Sequence, residues 1–436
     1  MPEKTSKRSI AKDPLPASKT AKKVLTKPRG TRDMLPDEME ARREIERRMR
    51  DCAKTFGYRE IATPAFEEAE LFTIRSGEGI ISEMYAFEDK GGRLISLRPE
   101  LTAPTLRLYV NEGRSLAKPV KWCYFGDCFR YERPQMGRYR QFWQFGAELI
   151  DVDSACADAE VIMLVHELLT TVGVTFTLKI GHLAFMRTLL KDLSLDLQAE
   201  IRHALDKRDT DKASLLLTEN GHEDLALPLI ALIQAKTLSE VFEIIGDIPE
   251  KERIETMCHI LDAGGVRYEL APAIARGLDY YTGVVFEAFA DGLGAENQIM
   301  GGGAYRLAHL FGGEDTASVG FAIGFDRVMV ALANSGTQVI APNSQVSVIY
   351  LPSKQKEAMN IASLIRKTGI YVDIDLSGRS FSAQMKHAGK VAQAVVIVGE
   401  REVAENVATL KNLKTGEQVQ CSFSDLPQNI VKCISD

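Results

Sequence analysis

Residues 125 to 150 constrain this chain's fold more than any other stretch. They read as two strands joined by an arginine-rich loop. The first strand ends Phe129-Arg130-Tyr131-Glu132, the loop is Arg133-Pro134-Gln135-Met136-Gly137-Arg138-Tyr139-Arg140, and the second strand runs from Gln141 to Ile150. Side chains alternate faces along a strand. Trp143, Phe145, Ala147 and Leu149 therefore share a face suited to a core, and Gln144, Gly146 and Glu148 share the other. Gln144 and Glu148 stand about 13 Å apart at the usual rise. Gly126, Cys128, Arg130 and Glu132 line one face of the first strand in the same way. The glycine between Gln144 and Glu148 is expected to leave room for a ligand to approach the backbone. A polar face alone describes any solvated hairpin. Four arginines within eleven positions, beside a Gln and a Glu, turn the expectation toward an anion site.

Two later stretches repeat the design. Thr282 to Glu287, after Arg276-Gly277-Leu278-Asp279-Tyr280-Tyr281, is strand-forming. In Val319 to Phe325 bulky residues alternate with Gly320, Ala322 and Gly324, and Arg327 follows where a helix begins. The triplet Gly301-Gly302-Gly303 reads as a turn. Glu100 and Thr102 cluster where a strand over 94–98 gives way to a helix, a pattern typical of capping.

The remaining segments organise the chain. Residues 1–30 hold nine Lys or Arg against two acids and few large apolar groups, a disordered basic arm. Such an arm suits either RNA phosphates or a soluble tail, and its acids and prolines weaken a mitochondrial presequence. With 54 basic and 60 acidic residues overall, the rest of the chain is acidic, so any nucleic-acid contact must come from local basic patches. A charged amphipathic helix is expected over 37–56, a strand over 58–64, a helix over 155–171 and a strand over 174–181. A strongly helical block fills 183–262, without any catalytic or metal pattern. After a Gly/Ser/Pro/Asn-rich linker, strands and helices alternate, which predicts a small domain with a largely parallel sheet. No apolar run reaches membrane-spanning length. Seven cysteines without a CxxC pair fit a reduced, intracellular compartment.

Together these segments resemble the histidyl-tRNA synthetase family of class II aminoacyl-tRNA synthetases, over nearly everything after residue 30. Phe129 through Gln135, continuing to Gln144 and Glu148, looks like the class II second motif in its histidyl form. Gly320 to Arg327 looks like the third motif, the helix before Pro64 resembles the first, and Arg276-Gly277-Leu278-Asp279-Tyr280-Tyr281 is similar to a signature specific to histidyl enzymes. The resemblance implies an α+β catalytic domain with an antiparallel sheet flanked by helices, a helical insertion and a C-terminal α/β anticodon-binding domain. The segments become an arm at 1–30, catalytic parts at 31–172 and 265–334, an insertion at 173–264, a linker at 335–344 and the anticodon-binding domain at 345–436. The implied activity is ATP-dependent ligation of L-histidine to tRNA(His) through a histidyl-adenylate, with Mg²⁺ on the ATP, in a cytoplasmic homodimer. The resemblance assigns catalysis to Arg276 and Arg130, and ATP binding to Arg130, Glu132, Arg138 and Arg327. Histidine binding falls to Glu100, Thr102, Gln144, Glu148, Tyr280, Tyr281 and Tyr305, and the tRNA acceptor end to Arg133 and Gln135. No protein-held metal is implied. The chain departs from the family at Gly302-Gly303-Ala304-Tyr305-Arg306, where Gly-Gly-Arg-Tyr-Asp is usual. Two alternatives are a synthetase of the same class for another amino acid and the inactive regulatory subunit of ATP phosphoribosyltransferase. Tyr280-Tyr281 argues against the first. Arg276 and the C-terminal segment, which that subunit lacks, argue against the second.

Overall fold

A computed structural model describes residues 24–76, 82–133, 136–207, 209–274, 280–294, 297–336 and 344–435. Arg276 and Gln135, most of the basic arm and most of the linker lie outside them. In chain order the strands are β1 (Arg59–Glu60), β2 (Phe66–Glu68), β3 (Tyr85–Glu88), β4 (Leu94–Leu97), β5 (Val120–Phe129), β6 (Gln141–Ile150), β7 (Thr177–His182), β8 (Glu269–Leu270), β9 (Tyr281–Phe289), β10 (Gln298–Tyr305), β11 (Ser318–Gly324), β12 (Ser344–Tyr350), β13 (Val372–Ile374), β14 (Ala392–Val398), β15 (Val407–Asn412) and β16 (Gln418–Ser422). The helices that matter below are α1 (Pro36–Thr55), α2 (Thr102–Leu108), α3 (Ala155–Val172), α4 (Lys251–Ala263) and α5 (Phe325–Asn334).

The described residues divide into two compact units, 24–34 with 47–336 and 35–46 with 344–435. The first is built on an eight-stranded sheet in the order β1-β5-β6-β11-β10-β9-β7-β8. Its interior pairings are antiparallel, and β1 on β5 and β8 on β7 add short parallel edges. The expected hairpin is β5 and β6, with Gly126 opposite Gln144 and Tyr124 opposite Gly146. The strand predicted over 58–64 shrinks to the two residues of β1. β5 stops at Phe129, so Arg130 and Glu132 leave the ladder and belong to the loop.

Two features hold the sheet's far side. Phe145, Ala147 and Leu149 of β6 are buried, as are Val319, Phe321 and Ile323 of β11. α3 packs against β11 and β6 with Val161, Ile162, Leu164 and Val165 buried. Its start is fixed by Ser154, whose hydroxyl accepts the Ala157 N–H at 3.2 Å, and its end by Gly173 at φ 83°. The helical block runs from Leu183 to Ala263 and ends in α4, which packs on α3. β7, just before it, pairs with β9 and is part of the same sheet.

The glycine triplet is not a turn. Gly301, Gly302 and Gly303 sit inside β10, paired on both sides. Glycine is required there by close packing: a Cβ on Gly302 would stand 2.5 Å from the Phe286 ring, and one on Gly303 would stand 2.6 Å from the Val284 carbonyl.

The second unit carries a five-stranded sheet in the order β13-β12-β14-β15-β16. β12 pairs in parallel with β13 and β14, but β15 and β16 join antiparallel, so the sheet is mixed rather than largely parallel. Val346, Val348, Val396, Val398 and Leu410 form its core with Ile361 and Ile365 of the covering helix.

Candidate active site

One face of the large sheet carries two adjoining features. The first is a cavity of about 200 Å³ whose lining includes Arg130, Glu132, Arg138, Gln144, Gly301 and Arg327. Arg130 is aimed by its own backbone neighbourhood: its Nε donates to the Pro99 carbonyl at 2.9 Å, and its guanidinium lies 5.3 Å from the Phe142 ring centre. Glu132 lies between Arg130 at 3.7 Å and Arg138 at 3.5 Å. Arg327, on the first turn of α5, donates to the Gln298 carbonyl at the end of β10. Two chain segments nearly two hundred residues apart thus supply guanidinium groups to one cavity.

The second feature is a buried hydrogen-bond chain beside it. Glu148 is 1 % exposed and accepts from the hydroxyls of Tyr124, at 3.0 Å, and Tyr305. The Tyr124 hydroxyl also meets the Thr102 hydroxyl at 3.4 Å. Tyr305 packs near Tyr280, with ring centres 6.5 Å apart, and Tyr280 lies against Tyr281 at 4.2 Å. Burial pushes the Glu148 carboxyl up to about 7, against the lowering effect of the hydrogen bonds from Tyr305, Tyr124 and Thr102. Gln144, on the same face of β6, accepts from the buried Cys128 thiol at 3.3 Å. Glu100 caps α2: its carboxylate accepts the N–H of Thr102 at 2.6 Å and of Ala103 at 3.0 Å. Capping and proximity to the site coexist here, since the same residue sets where Thr102 stands.

The cleared face was expected to admit ligand, and the structure corrects this at three glycines. A Cβ on Gly146 would lie 2.5 Å from the Tyr124 ring, and one on Gly320 would lie 1.6 Å from a Glu148 carboxylate oxygen. One on Gly126 would lie 2.6 Å from the Arg98 guanidinium. These glycines make room for protein side chains that build the site. Gly301, Ala322 and Gly324 do line the cavity.

Several residues that shape the site had no visible signal. Tyr124 is one of several aromatics in β5, and nothing in its local sequence sets it apart. Arg98, almost fully buried, holds the Asp127 and Thr63 carbonyls at 2.8 and 2.7 Å and so ties the segment before α2 to β5. Asp326 is buried beside Arg327 and accepts the Trp143 N–H at 2.8 Å. Arg133 is exposed in the loop. The two departures from the family pattern fall away from Glu148. Strand alternation turns Ala304 to the opposite face from Tyr305, and Arg306 pairs with Asp153 at 2.5 Å and Asp315 at 3.1 Å.

An antiparallel sheet with helices behind it and an arginine-lined cavity on its open face is the architecture of a class II aminoacyl-tRNA synthetase. The family model described as histidyl-tRNA synthetase matches residues 30–328, and the one described as anticodon binding domain matches 345–433. The histidine–tRNA ligase of Methanospirillum hungatei is 64 % identical over 93 % of this chain and 99 % of its own. The apo histidyl-tRNA synthetase of S. aureus superposes with a TM-score of 0.70 at 27 % identity, covering 93 % of this chain and 99 % of that one. A Nostoc histidyl-tRNA synthetase shares the fold at a TM-score of 0.81 and 24 % identity, with the same coverage. The chain belongs to the histidyl-tRNA synthetase family, and its activity is that of a histidine–tRNA ligase.

Proposed function

We propose that the cavity binds ATP and the buried carboxylate beside it reads the histidine ring. The supporting observation is Glu148: a dry carboxylate held by two tyrosine hydroxyls, a few residues along the same strand face from an arginine-lined cavity. An imidazole offers an N–H to a carboxylate and a second ring nitrogen to a hydroxyl. Tyr305, Tyr280 and Tyr281 are the candidates for that second nitrogen and the ring faces. Glu100, Thr102 and Gln144 are the candidates for the ammonium. A site built on such bonds rejects side chains that cannot make them.

In the first step a carboxylate oxygen of histidine attacks the α-phosphorus, the bond to the β-phosphate oxygen breaks, and pyrophosphate leaves. Two anions are brought together, so fixed cations must offset their repulsion. Arg130 is assigned to the α-phosphate and Arg327 to the outer phosphates, with Arg276 as a second α-phosphate cation by family resemblance. Guanidinium suits the task because it stays charged and grips phosphate through a planar fork. Mg²⁺ would be carried by the phosphate oxygens of ATP, where it would offset part of their charge; Glu132 already pairs with Arg130 and Arg138 and would hold those two guanidiniums in place. In the second step a terminal adenosine hydroxyl of tRNA(His) attacks the acyl carbon and AMP leaves. Arg133 and Gln135 are assigned to the acceptor end, and the C-terminal unit to the anticodon.

A cytoplasmic homodimer completes the proposal. Its support is an open apolar face on the small sheet β2-β4-β3, where Phe66 and Phe87 share one side with Ile95 and Leu97 and are about half exposed. No helix among the described residues is long and apolar enough to cross a membrane. The test is histidine-dependent ATP–pyrophosphate exchange with the purified chain. Exchange that requires histidine and no other amino acid is expected, and exchange with proline, threonine or glycine instead would overturn the assignment of Glu148.

A further inference from the structure

Behind the wall of the ATP-binding cavity formed by Tyr139, Trp143 and Asp326 lies a segment that no motif includes. Residues 30–32 lie along the end of the arginine-rich loop. The Gly30 carbonyl accepts the Arg140 N–H at 2.8 Å. The Arg32 guanidinium lies over the Tyr139 ring, 3.6 Å from its centre. The same guanidinium pairs with the buried carboxylate of Asp326. Asp326 in turn accepts the Trp143 N–H, at the start of β6. Tyr139, Trp143 and Asp326 all line the cavity. One cation therefore joins the loop that carries Arg130, Glu132 and Arg138 to the helix that carries Arg327.

We propose that Arg32 is a positioning residue for ATP: stacked on Tyr139 and paired with Asp326, it fixes the distance between the two arginine-bearing walls of the cavity. The guanidinium is needed for its shape as well as its charge, because one planar group must both stack on a ring and bond a carboxylate. Asp326 has a side chain only 2 % exposed, so removing Arg32 takes a cation from a dry carboxylate. The first turn of α5, with Arg327, then loses its fixed relation to Tyr139. The effect falls on the nucleotide, since the partners of Arg32, Tyr139 and Asp326, line the ATP cavity, whereas Glu148 is held by Tyr124 and Tyr305.

The proposal rests on ATP occupying this cavity, and its test separates the two. In pyrophosphate exchange, Arg32→Ala is expected to raise the KM for ATP by about tenfold, the cost of a slight misplacement of two walls. Histidine affinity, measured by calorimetry without ATP, should stay within twofold. Arg32→Lys keeps the charge without the plane and should fall between. Added ethylguanidinium should lower the KM of Arg32→Ala and leave the wild type unchanged, a rescue that general loosening of the fold would not give. Tyr139→Leu removes the stacking face together with a cavity-lining ring; if the ring acts through Arg32, combining it with Arg32→Ala should add little. If Arg32→Ala does not fold, Arg32→Lys and Tyr139→Leu carry the same test. An unchanged KM for ATP, or an equal loss of histidine affinity, overturns the role of Arg32. Arg327→Ala is the control: if it also leaves the KM for ATP unchanged, the nucleotide does not bind here and the broader assignment fails; if it raises the KM and Arg32→Ala does not, only the role of Arg32 fails.

Discussion

Replacing Glu148 by Gln isolates the charge to which the histidine ring is assigned. The amide keeps the shape, and the Tyr124 and Tyr305 hydroxyls can still donate to its oxygen. What goes is the negative charge that an imidazole N–H would meet. A hydrogen bond to an ionised group is worth about 1.5–3 kcal/mol net. The kcat/KM for histidine should therefore fall about ten- to a hundredfold, with the KM for ATP nearly unchanged. The pH dependence adds a sharper signature. The carboxyl titrates near 7 in the free protein because it is buried. Wild-type kcat/KM for histidine should accordingly fall as pH drops through about 7, and the Gln variant should keep only the limb that belongs to the substrate's own ring. Stability should move the opposite way. A folded-state value near 7 against an ordinary 4.5 means that Glu148 favours folding fully below 4.5, and that this contribution is lost as pH rises through 7. Above that, burying the ionised group costs on the order of 3 kcal/mol. Ligand-free Glu148→Gln should thus melt higher than wild type at pH 8, with the difference closing toward pH 5. Steady-state exchange across pH 5.5–8.5 and thermal melts at both ends provide the data. Equal histidine kcat/KM in the two proteins, or parallel pH profiles, would refute the role given to this carboxylate.

Two further substitutions test the surrounding frame. Gly320→Ala puts a methyl 1.6 Å from the Glu148 carboxylate and 2.8 Å from the Ala147 carbonyl, so the carboxylate must swing away; histidine-dependent exchange should be lost while the melt shows a penalty of about 1–3 kcal/mol. Arg253→Ala acts on the opposite face of the sheet, where Arg253 of α4 holds the buried Asp158 at 2.9 Å. Because Arg253 is one-third exposed, the loss should be about 2 kcal/mol at pH 7.5 rather than the full cost of a broken buried pair. Burial raises the Asp158 carboxyl to about 6, so the loss should shrink below that pH as Asp158 takes up a proton, with the KM for histidine unaffected.

Much of the site was legible because strand alternation is a strict rule. The faces of β6 and β11 follow from it, and so does the pairing of Gln144 with Glu148 on one side. What failed was the meaning of the small residues. Gly301-Gly302-Gly303 has the composition of a turn, yet it is a strand in which the Phe286 and Tyr281 rings leave no room for side chains at Gly302 and Gly303. Gly146 and Gly320 were expected to clear space for ligand, and they clear it for Tyr124 and Glu148. Only tertiary packing distinguishes these cases. The partnership of Arg32 with Asp326 was beyond reach for another reason: 294 residues separate them, and no local pattern links the two. The mixed C-terminal sheet was missed because β15 and β16 are a short hairpin appended after the alternating segment, and the five-residue helix Glu400–Ala404 before β15 leads into an antiparallel pairing rather than a parallel crossover.

The most direct test is a crystal structure of the chain with a non-hydrolysable histidyl-adenylate analogue. The imidazole should lie against Glu148 and Tyr305, the group replacing the α-phosphate within hydrogen-bond reach of Arg130, and the adenosine in the cavity between Arg138 and Arg327. An analogue bound with its ring away from Glu148, or with its adenosine outside that cavity, would contradict the assignment of both halves of the site.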